Sequence, residues 1–142
     1  MCRAISKGLW VVAAVALLAG GCEFLEEWEE HGPHGEVSVT ILSVRPMPAV
    51  VSAGDRVDLQ ARYVVRTRFP AQQVLVKERR QVFHAGHLMG DIQREVWRGR
   101  GTYMSSEPYF LPMPALVGWY RVVTTMSVDG RTSQKTMQFR VH

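Results

Sequence analysis

The chain has 142 residues, enough for one domain of ordinary size. A hydrophobic content of 46% excludes a wholly disordered chain, and no apolar run approaches the ~20 residues of a membrane-spanning helix, which excludes a polytopic membrane protein. The formal charge of +4 is uneven, since residues 23–36 hold six acidic and no basic side chains, whereas residues 37–142 hold 15 basic and seven acidic ones. The sequence therefore divides into a short acidic segment and a basic body.

The first 22 residues have the layout of an export signal. Two basic residues precede an apolar run at residues 9–19, and two glycines then lead to Cys22. Residues 18–22 (LAGGC) resemble a bacterial lipobox. That resemblance implies a signal peptide over residues 1–21, cleavage before Cys22 and acyl chains on Cys22. An ordinary signal peptide with a chance cysteine is the alternative.

An acidic tether is predicted over residues 22–35. Its charges and its Gly-Pro step favour a solvated spacer, and the alternative is that its aromatic side chains rest at a bilayer interface. Cys2 lies in the predicted signal peptide, so we expect the exported domain to have no disulfide and to be stabilised by its core. Glu23 stands directly after the lipidated cysteine, where Asp favours retention in the inner membrane of enterobacteria. By that resemblance we expect the periplasmic face of the outer membrane.

From residue 36 onward the apolar pattern has period two, which is typical of β-strands. The clearest strand places five side chains on one face and mostly polar residues on the other: Val57, Leu59, Ala61, Tyr63 and Val65. Seven strands are predicted, at about residues 37–46, 57–66, 74–83, 91–97, 102–110, 118–128 and 131–141. A loop is predicted at 84–90 and a tight hairpin turn at Asp129-Gly130. Strands of this number and spacing indicate a sandwich or barrel.

Residues 118–122 (GWYRV) follow a proline-rich crossing and precede the predicted hairpin. This arrangement resembles the end of immunoglobulin-like domains in which Tyr120 is the tyrosine-corner residue. The resemblance implies an all-β fold, a single Ig-like antiparallel β-sandwich of about seven strands over residues 36–142. The Ig disulfide is absent, and we expect Leu59 and Val122 to fill its place. Sandwiches of fibronectin-III or transthyretin-like type are alternatives.

No catalytic or phosphate-binding motif is present in the sequence. His84 and His87, with Asp91 nearby, form the most plausible metal-ligand group, but surface histidines in a loop are the more common explanation. Ser105 lies near Glu107, with no histidine in a recognisable triad arrangement. We therefore expect no enzyme, no metal and no cofactor.

Arginine and exposed aromatic residues are the remaining functional signals. Fourteen of the 17 basic residues are arginines. The predicted binding residues are those that face outward or lie in turns: Arg62, Arg66, Arg68, Trp119 and Arg121. If the third and fourth strands present their arginines nearby, a single cationic sheet face results. Solvated arginines in a GC-rich genome are the alternative.

These observations predict a lipid-anchored, exported, non-catalytic module that binds an envelope protein or assists envelope assembly. The alternative function is binding of an anionic polysaccharide or lipopolysaccharide through the arginine and aromatic residues. Nucleic acid is not an expected partner, because an exported domain would seldom meet it.

Overall fold

The computed structural model of the protein describes residues 36–142, which form one compact unit. The predicted signal peptide, Cys22 and acidic tether lie outside the described residues. Within residues 36–142, no helix has the length and hydropathy to cross a bilayer.

Alternating apolar residues form seven long strands and one short strand. They are β1 (Ser38–Met47), β2 (Val50–Val51), β3 (Arg56–Arg66), β4 (Val74–His84), β5 (His87–Arg98), β6 (Gly101–Phe110), β7 (Gly118–Val128) and β8 (Arg131–Val141). The seven predicted strands are confirmed. The two-residue strand β2, which pairs in parallel with the end of β8, was not predicted because two residues show no periodicity.

The predicted loop at 84–90 is wrong. Strands β4 and β5 continue through this segment and are joined by Ala85-Gly86 alone, with His84 opposite His87. Ala85 and Gly86 have φ of 48° and 81°, the left-handed conformations that a two-residue hairpin turn of type I′ requires. Gly90, which suggested a loop, lies within β5, where an added Cβ would come within 2.7 Å of the Tyr109 ring. This glycine permits a close approach between β5 and β6.

The strands form two sheets, one in the order β1-β3-β6 and the other in the order β2-β8-β7-β4-β5. All the long strands pair in antiparallel fashion with their neighbours. In constant-type Ig domains the fourth strand pairs within the first sheet. The fourth long strand of this protein is β5, and it lies at the edge of the second sheet beside β4. The fold is an Ig-like β-sandwich with this strand in the second sheet.

The core consists of two apolar clusters between the sheets. All five side chains predicted to face inward on β3 are buried. Leu59 and Val122 are fully buried in the same cluster, which confirms that apolar residues occupy the space between these two strands. Tyr120 is buried, and its hydroxyl donates to the Leu116 carbonyl at 2.9 Å, so the tyrosine corner is also confirmed.

Strand register places the chain connections at two opposite ends of the sandwich. One end contains the last residues of β1, β4, β6 and β8 together with the first residues of β3, β5 and β7. We call it the crossing end, because residues 111–117 cross there from one sheet to the other. The other end contains Glu36, Arg66 and the β7–β8 turn, in which Asp129 and Gly130 adopt φ of 49° and 74° as the predicted hairpin requires.

Candidate functional site

The five predicted binding residues lie on two separate surfaces. Arg62 and Arg66 point outward from the three-stranded sheet, and Arg68 is exposed in the turn that follows. Trp119 and Arg121 point outward from the five-stranded sheet. The condition for a single cationic face is not met, because β4 and β5 belong to the opposite sheet from Arg62 and Arg66.

The arginines of β4 and β5 are used largely within the fold. Arg79 forms a bidentate pair with Asp91 at 3.0 and 2.6 Å, across the β4–β5 hairpin. Arg94 donates to Glu107 Oε1 at 2.9 Å. These guanidinium groups connect neighbouring strands and are therefore not free to form a binding face.

Arg80 is completely buried, and it lies beside the buried Glu78. The Glu78 carboxylate accepts hydrogen bonds from the hydroxyls of Tyr63 at 2.7 Å and Ser105 at 2.6 Å. Arg80 donates to Ser105 Oγ at 3.0 Å and lies 3.7 Å from the Glu78 carboxylate. Arg98 donates from Nε to the Tyr63 hydroxyl at 3.1 Å. Because Tyr63 and Ser105 belong to the three-stranded sheet and Glu78 and Arg80 to the other, this polar layer joins the two sheets.

Burial shifts the pKa values of two groups in the polar layer, Tyr63 and Arg80. It raises the pKa of Tyr63 from 10.0 to about 12, and the hydrogen bond to Glu78 adds to that rise. Burial also lowers the pKa of Arg80, and the neighbouring Glu78 opposes this effect. Arg80 Nε and Thr124 Oγ1 have no hydrogen-bond partner in the described part of the chain. Ser105 is only 2% exposed, so its hydroxyl serves this network and is closed to a substrate.

Of the two histidines that suggest a metal site, His84 makes contacts within the fold. The His84 ring lies 4.6 Å from the Tyr120 ring, centroid to centroid, and its Nε2 is 3.0 Å from the Val117 carbonyl oxygen. Asp91 is engaged by Arg79, as described above. Residues 36–142 contain no group of three or more ligand-type side chains placed to hold a metal ion.

Large exposed apolar side chains are concentrated at the crossing end. Of the thirteen that are exposed within residues 36–142, nine lie there by strand register and connection. We call these nine the apolar end: Met47, Val50, Leu88, Met89, Phe110, Met113, Leu116, Val117 and Trp119. They surround this end of the sandwich: Met47 and Phe110 lie on the outer side of the three-stranded sheet, and Trp119 lies on the outer side of the five-stranded sheet. Exposed apolar residues in this number at one end suggest an interaction surface, whereas single ones are ordinary.

The crossing itself is held in a defined conformation. Hydrogen bonds fix the Leu116 carbonyl to Tyr120 and the Val117 carbonyl to His84. At the start of the crossing, the Leu111 amide donates to the Asp55 carbonyl at 3.0 Å, and Leu111 itself is buried. The exposed side chains of residues 113, 116 and 117 are therefore presented by a backbone that is anchored on both sides.

Beside the crossing, arginine and aromatic side chains alternate on the outer face of the five-stranded sheet. The Arg140 guanidinium carbon lies 6.0 Å from the ring centroid of Trp119, its cross-strand partner. Arg121 lies similarly over Phe83, at 5.0 Å. Trp119 is 60% exposed, so one end of a stacked, preordered aromatic group faces solvent.

Sequence reasoning missed two features of these sites. Glu78 and Arg80 lie in phase with Val76 and Val82, so period two alone places them inside the sandwich. They were not predicted as core residues, because charged side chains are seldom fully buried unless they are paired. The apolar end has no such local signal, because its members come from six separate segments that only the topology brings together.

No protein-family model matches this chain, and no curated protein matches it. Among solved structures, it is similar to the sporulation control protein Spo0M of Bacillus subtilis (11% identity, TM-score 0.52, 74% of this chain and 49% of that one). It is also similar to a glycosyl hydrolase family 2 member from Bacteroides cellulosilyticus (12% identity, TM-score 0.50, 70% and 15%). A CARDB domain from Pyrococcus furiosus matches with 14% identity and a TM-score of 0.47, over 75% and 89%. The chain spans about half of Spo0M and 15% of the hydrolase, and these two likenesses show a shared fold alone.

Proposed function

We propose that this protein is an exported, lipid-anchored, non-catalytic interaction module that binds an envelope protein through its apolar end. The lipobox-like residues 18–22 support the anchor, and Glu23 supports the periplasmic face of the outer membrane. The observation that carries the interaction function is the concentration of nine exposed apolar side chains at one end of the sandwich.

The physical argument rests on how binding energy is distributed in protein interfaces. Tryptophan and arginine are the residues that most often dominate such interfaces, particularly when they are central and already ordered. Trp119 stacks with Arg140 and adjoins Arg121, and Leu116 and Val117 are fixed beside it. Because this surface is preorganised, little conformational entropy is lost when a partner binds. The two arginines favour a partner segment that combines apolar and acidic side chains.

The absence of a catalytic role is also part of the proposal. Ser105 is closed to solvent, His84 is engaged by a backbone carbonyl, and Asp91 is engaged by Arg79. Ser105, His84 and Asp91, three of the side chains that the sequence suggests for chemistry, therefore each have a structural role.

The test of the interaction surface is photo-crosslinking in intact cells, with the full chain carrying a photoreactive residue at position 116. We expect one envelope protein to be crosslinked, and the crosslink to be lost in the Trp119→Ala variant. The matched control is Trp97→Ala, because Trp97 is 64% exposed but lies at the opposite end of the sandwich. Equal crosslinking by the wild type and Trp119→Ala, or equal loss in both variants, would contradict the proposal.

The test of the anchor is fractionation of cells that express Cys22→Ser. We expect this variant to leave the outer-membrane fraction, because it has no site for the acyl chains that hold the protein there. Cys2→Ser is the matched control and should stay in the membrane. Retention of Cys22→Ser in the outer-membrane fraction would overturn the anchoring proposal without affecting the interaction surface.

A further inference from the structure

The outer face of the three-stranded sheet is strongly basic. Four arginines and one aspartate point outward from β1 and β3, and Arg56 is neutralised by Asp58 at 2.8 Å. Arg45 donates to the Gln60 amide oxygen at 3.0 Å rather than to a carboxylate. Arg62 and Arg66 pair with no carboxylate within residues 36–142. This face therefore carries a positive potential that the domain itself leaves unneutralised.

A shallow groove of about 240 Å³ lies on this face. Its lining comprises residues from all three strands: Ser43, Arg45, Gln60, Arg62 and Met104. The register places Ser43, Arg62 and Met104 in one row across the sheet. A bulge between Ile41 and Ser43 shifts β1 at this point, so that both Leu42 and Ser43 are exposed. Bulges of this kind re-aim side chains and are common beside functional sites.

The lining groups match one class of ligand. The forked guanidinium of Arg62 suits a carboxylate, which it can bind with two parallel hydrogen bonds. Gln60 accepts from Arg45 with its oxygen, so its NH₂ group is available to donate, and the Ser43 hydroxyl both donates and accepts. Met104 is 60% exposed and offers an apolar surface. A sugar ring that bears a carboxylate has all the complementary parts: one negative charge, several hydroxyls and an apolar ring face.

The size and chemistry of the groove favour a glycan over a protein. The volume is below the 300–1,000 Å³ of pockets that hold drug-sized ligands, so it suits one small unit of a larger polymer. Arg66 lies four residues beyond Arg62 on the same face of β3, which at ~3.4 Å per residue is about 14 Å away. That distance allows Arg66 to hold a second charged group, several units further along the same polymer.

We propose that this Arg62 groove binds a carboxylate-bearing sugar unit of an acidic polysaccharide, with Arg66 holding another charged unit further along the polymer. The site goes beyond the proposed protein-binding function, because it lies on the other sheet from Trp119 and Arg121. The domain thus presents one surface to a protein and another to a glycan.

The test is an NMR titration of the full chain, in detergent micelles and labelled at its methionine methyl groups, with an oligomer of galacturonic acid. We expect the Met104 methyl resonance to shift, and the affinity to fall as salt is raised because exposed charges are screened. Arg62→Ala should weaken binding by about tenfold, since it removes a charge-assisted hydrogen-bond pair. An oligomer of galactose, which has no carboxylate, should bind at least about tenfold more weakly for the same reason.

The matched control is Arg121→Ala, which removes one exposed arginine from the opposite sheet. It should change the affinity by less than about twofold, because long-range interactions between exposed charges are largely screened. An equal loss in Arg62→Ala and Arg121→Ala would mean that only the net charge matters, and would overturn the proposal. Equal binding of the galactose oligomer, an unshifted Met104 methyl or no binding of the acidic oligomer would overturn it as well.

Discussion

Arg80 is the largest side chain that is fully buried in the described residues. An unpaired guanidinium in this position would be strongly destabilising, and the adjacent Glu78 carboxylate compensates for its charge. The pair lies between the two apolar clusters, with Val76 of β4 on one side and Val82 on the other. A polar layer in the middle of a sandwich core gives the two sheets a preferred alignment, because only one register lets Tyr63 and Ser105 reach Glu78.

We predict that Glu78→Gln lowers the free energy of unfolding by roughly 3–5 kcal/mol, because it leaves Arg80 buried without a countercharge. The measurement is urea unfolding of the domain at neutral pH. Glu95→Gln is the control, since Glu95 is exposed and only 3.9 Å from Lys77, and it should change the value by less than about 0.5 kcal/mol. A loss for Glu78→Gln as small as that of the control would show that Arg80 is not held by this charge.

Tyr63 makes the free energy of unfolding depend on pH in the alkaline range. Its pKa is raised to about 12 in the folded state, against an ordinary value of 10.0. A raised pKa means that the folded state holds the proton more tightly, so the stabilisation is complete below pH 10 and is lost as the pH rises to about 12. We predict that the difference in unfolding free energy between wild type and Tyr63→Phe becomes smaller over this interval. Unfolding curves at neutral pH and at pH 10 to 12 would check this, and a constant difference would contradict it.

At the scale of the element, the β4–β5 hairpin is the least predictable part of the fold. Its two-residue turn places Ala85 at φ 48°, where a side chain with a Cβ is disfavoured and asparagine is better tolerated. The histidines and glycines of this segment are typical of a loop, so the ends of the two strands were not predicted. Gly90 does not form a turn, and it allows Tyr109 to approach the backbone closely. The hairpin matters for the proposed interaction surface, since it carries Phe83 and Leu88 to the outer face near Trp119.

We predict that Ala85→Asn stabilises the domain by roughly 0.5–1 kcal/mol, because asparagine adopts the left-handed conformation with less strain. Thermal unfolding of the two proteins side by side is sufficient to measure it. Ala71→Asn introduces the same side chain at an exposed position without a positive φ, and should have no stabilising effect. Equal shifts in both variants would attribute the gain to asparagine itself and not to the turn.

The tyrosine corner is the second element whose effect can be measured. Tyr120→Phe removes the hydrogen bond to the Leu116 carbonyl and should lower the unfolding free energy by about 0.5–1.5 kcal/mol. Because residues 116 and 117 lose one of their two attachments, hydrogen exchange of the amides in the crossing should accelerate. The amides of the β7–β8 hairpin at the opposite end provide the internal control. Uniform acceleration throughout the domain would contradict a local role for this contact.

At the scale of the whole molecule, the sandwich separates two surfaces of different chemistry. The apolar end lies at the crossing end and the Arg62 groove on the outer face of the three-stranded sheet, with no shared residue. We predict that the effects of Trp119→Ala and Arg62→Ala on unfolding free energy add within about 0.5 kcal/mol, as distant sites do. Glu78 and Arg80, which are in contact, should instead couple by roughly 0.5–3 kcal/mol in the same type of cycle. Coupling of that size between Trp119 and Arg62 would contradict the separation.

Much of the architecture follows from the sequence because period two and turn chemistry act locally. The inward face of β3, the Asp129-Gly130 turn and the position of Tyr120 all depend on neighbouring residues alone. The candidate surfaces were predicted less well. Arg62 and Trp119 were correctly placed outward by alternation, but alternation does not state which sheet a strand joins.

The sequence by itself determined the all-β class, the seven long strands and the residues that face inward along the clearest of them, since each follows from the alternation of apolar and polar residues within a short stretch of the chain. Only the tertiary structure decided that β5 joins the second sheet, that Glu78 and Arg80 are buried as a pair, and that nine exposed apolar side chains lie at one end. The reason is physical. These features arise from pairing between distant segments, whose free energy depends on how the two sheets pack and is therefore not encoded in any single stretch of residues.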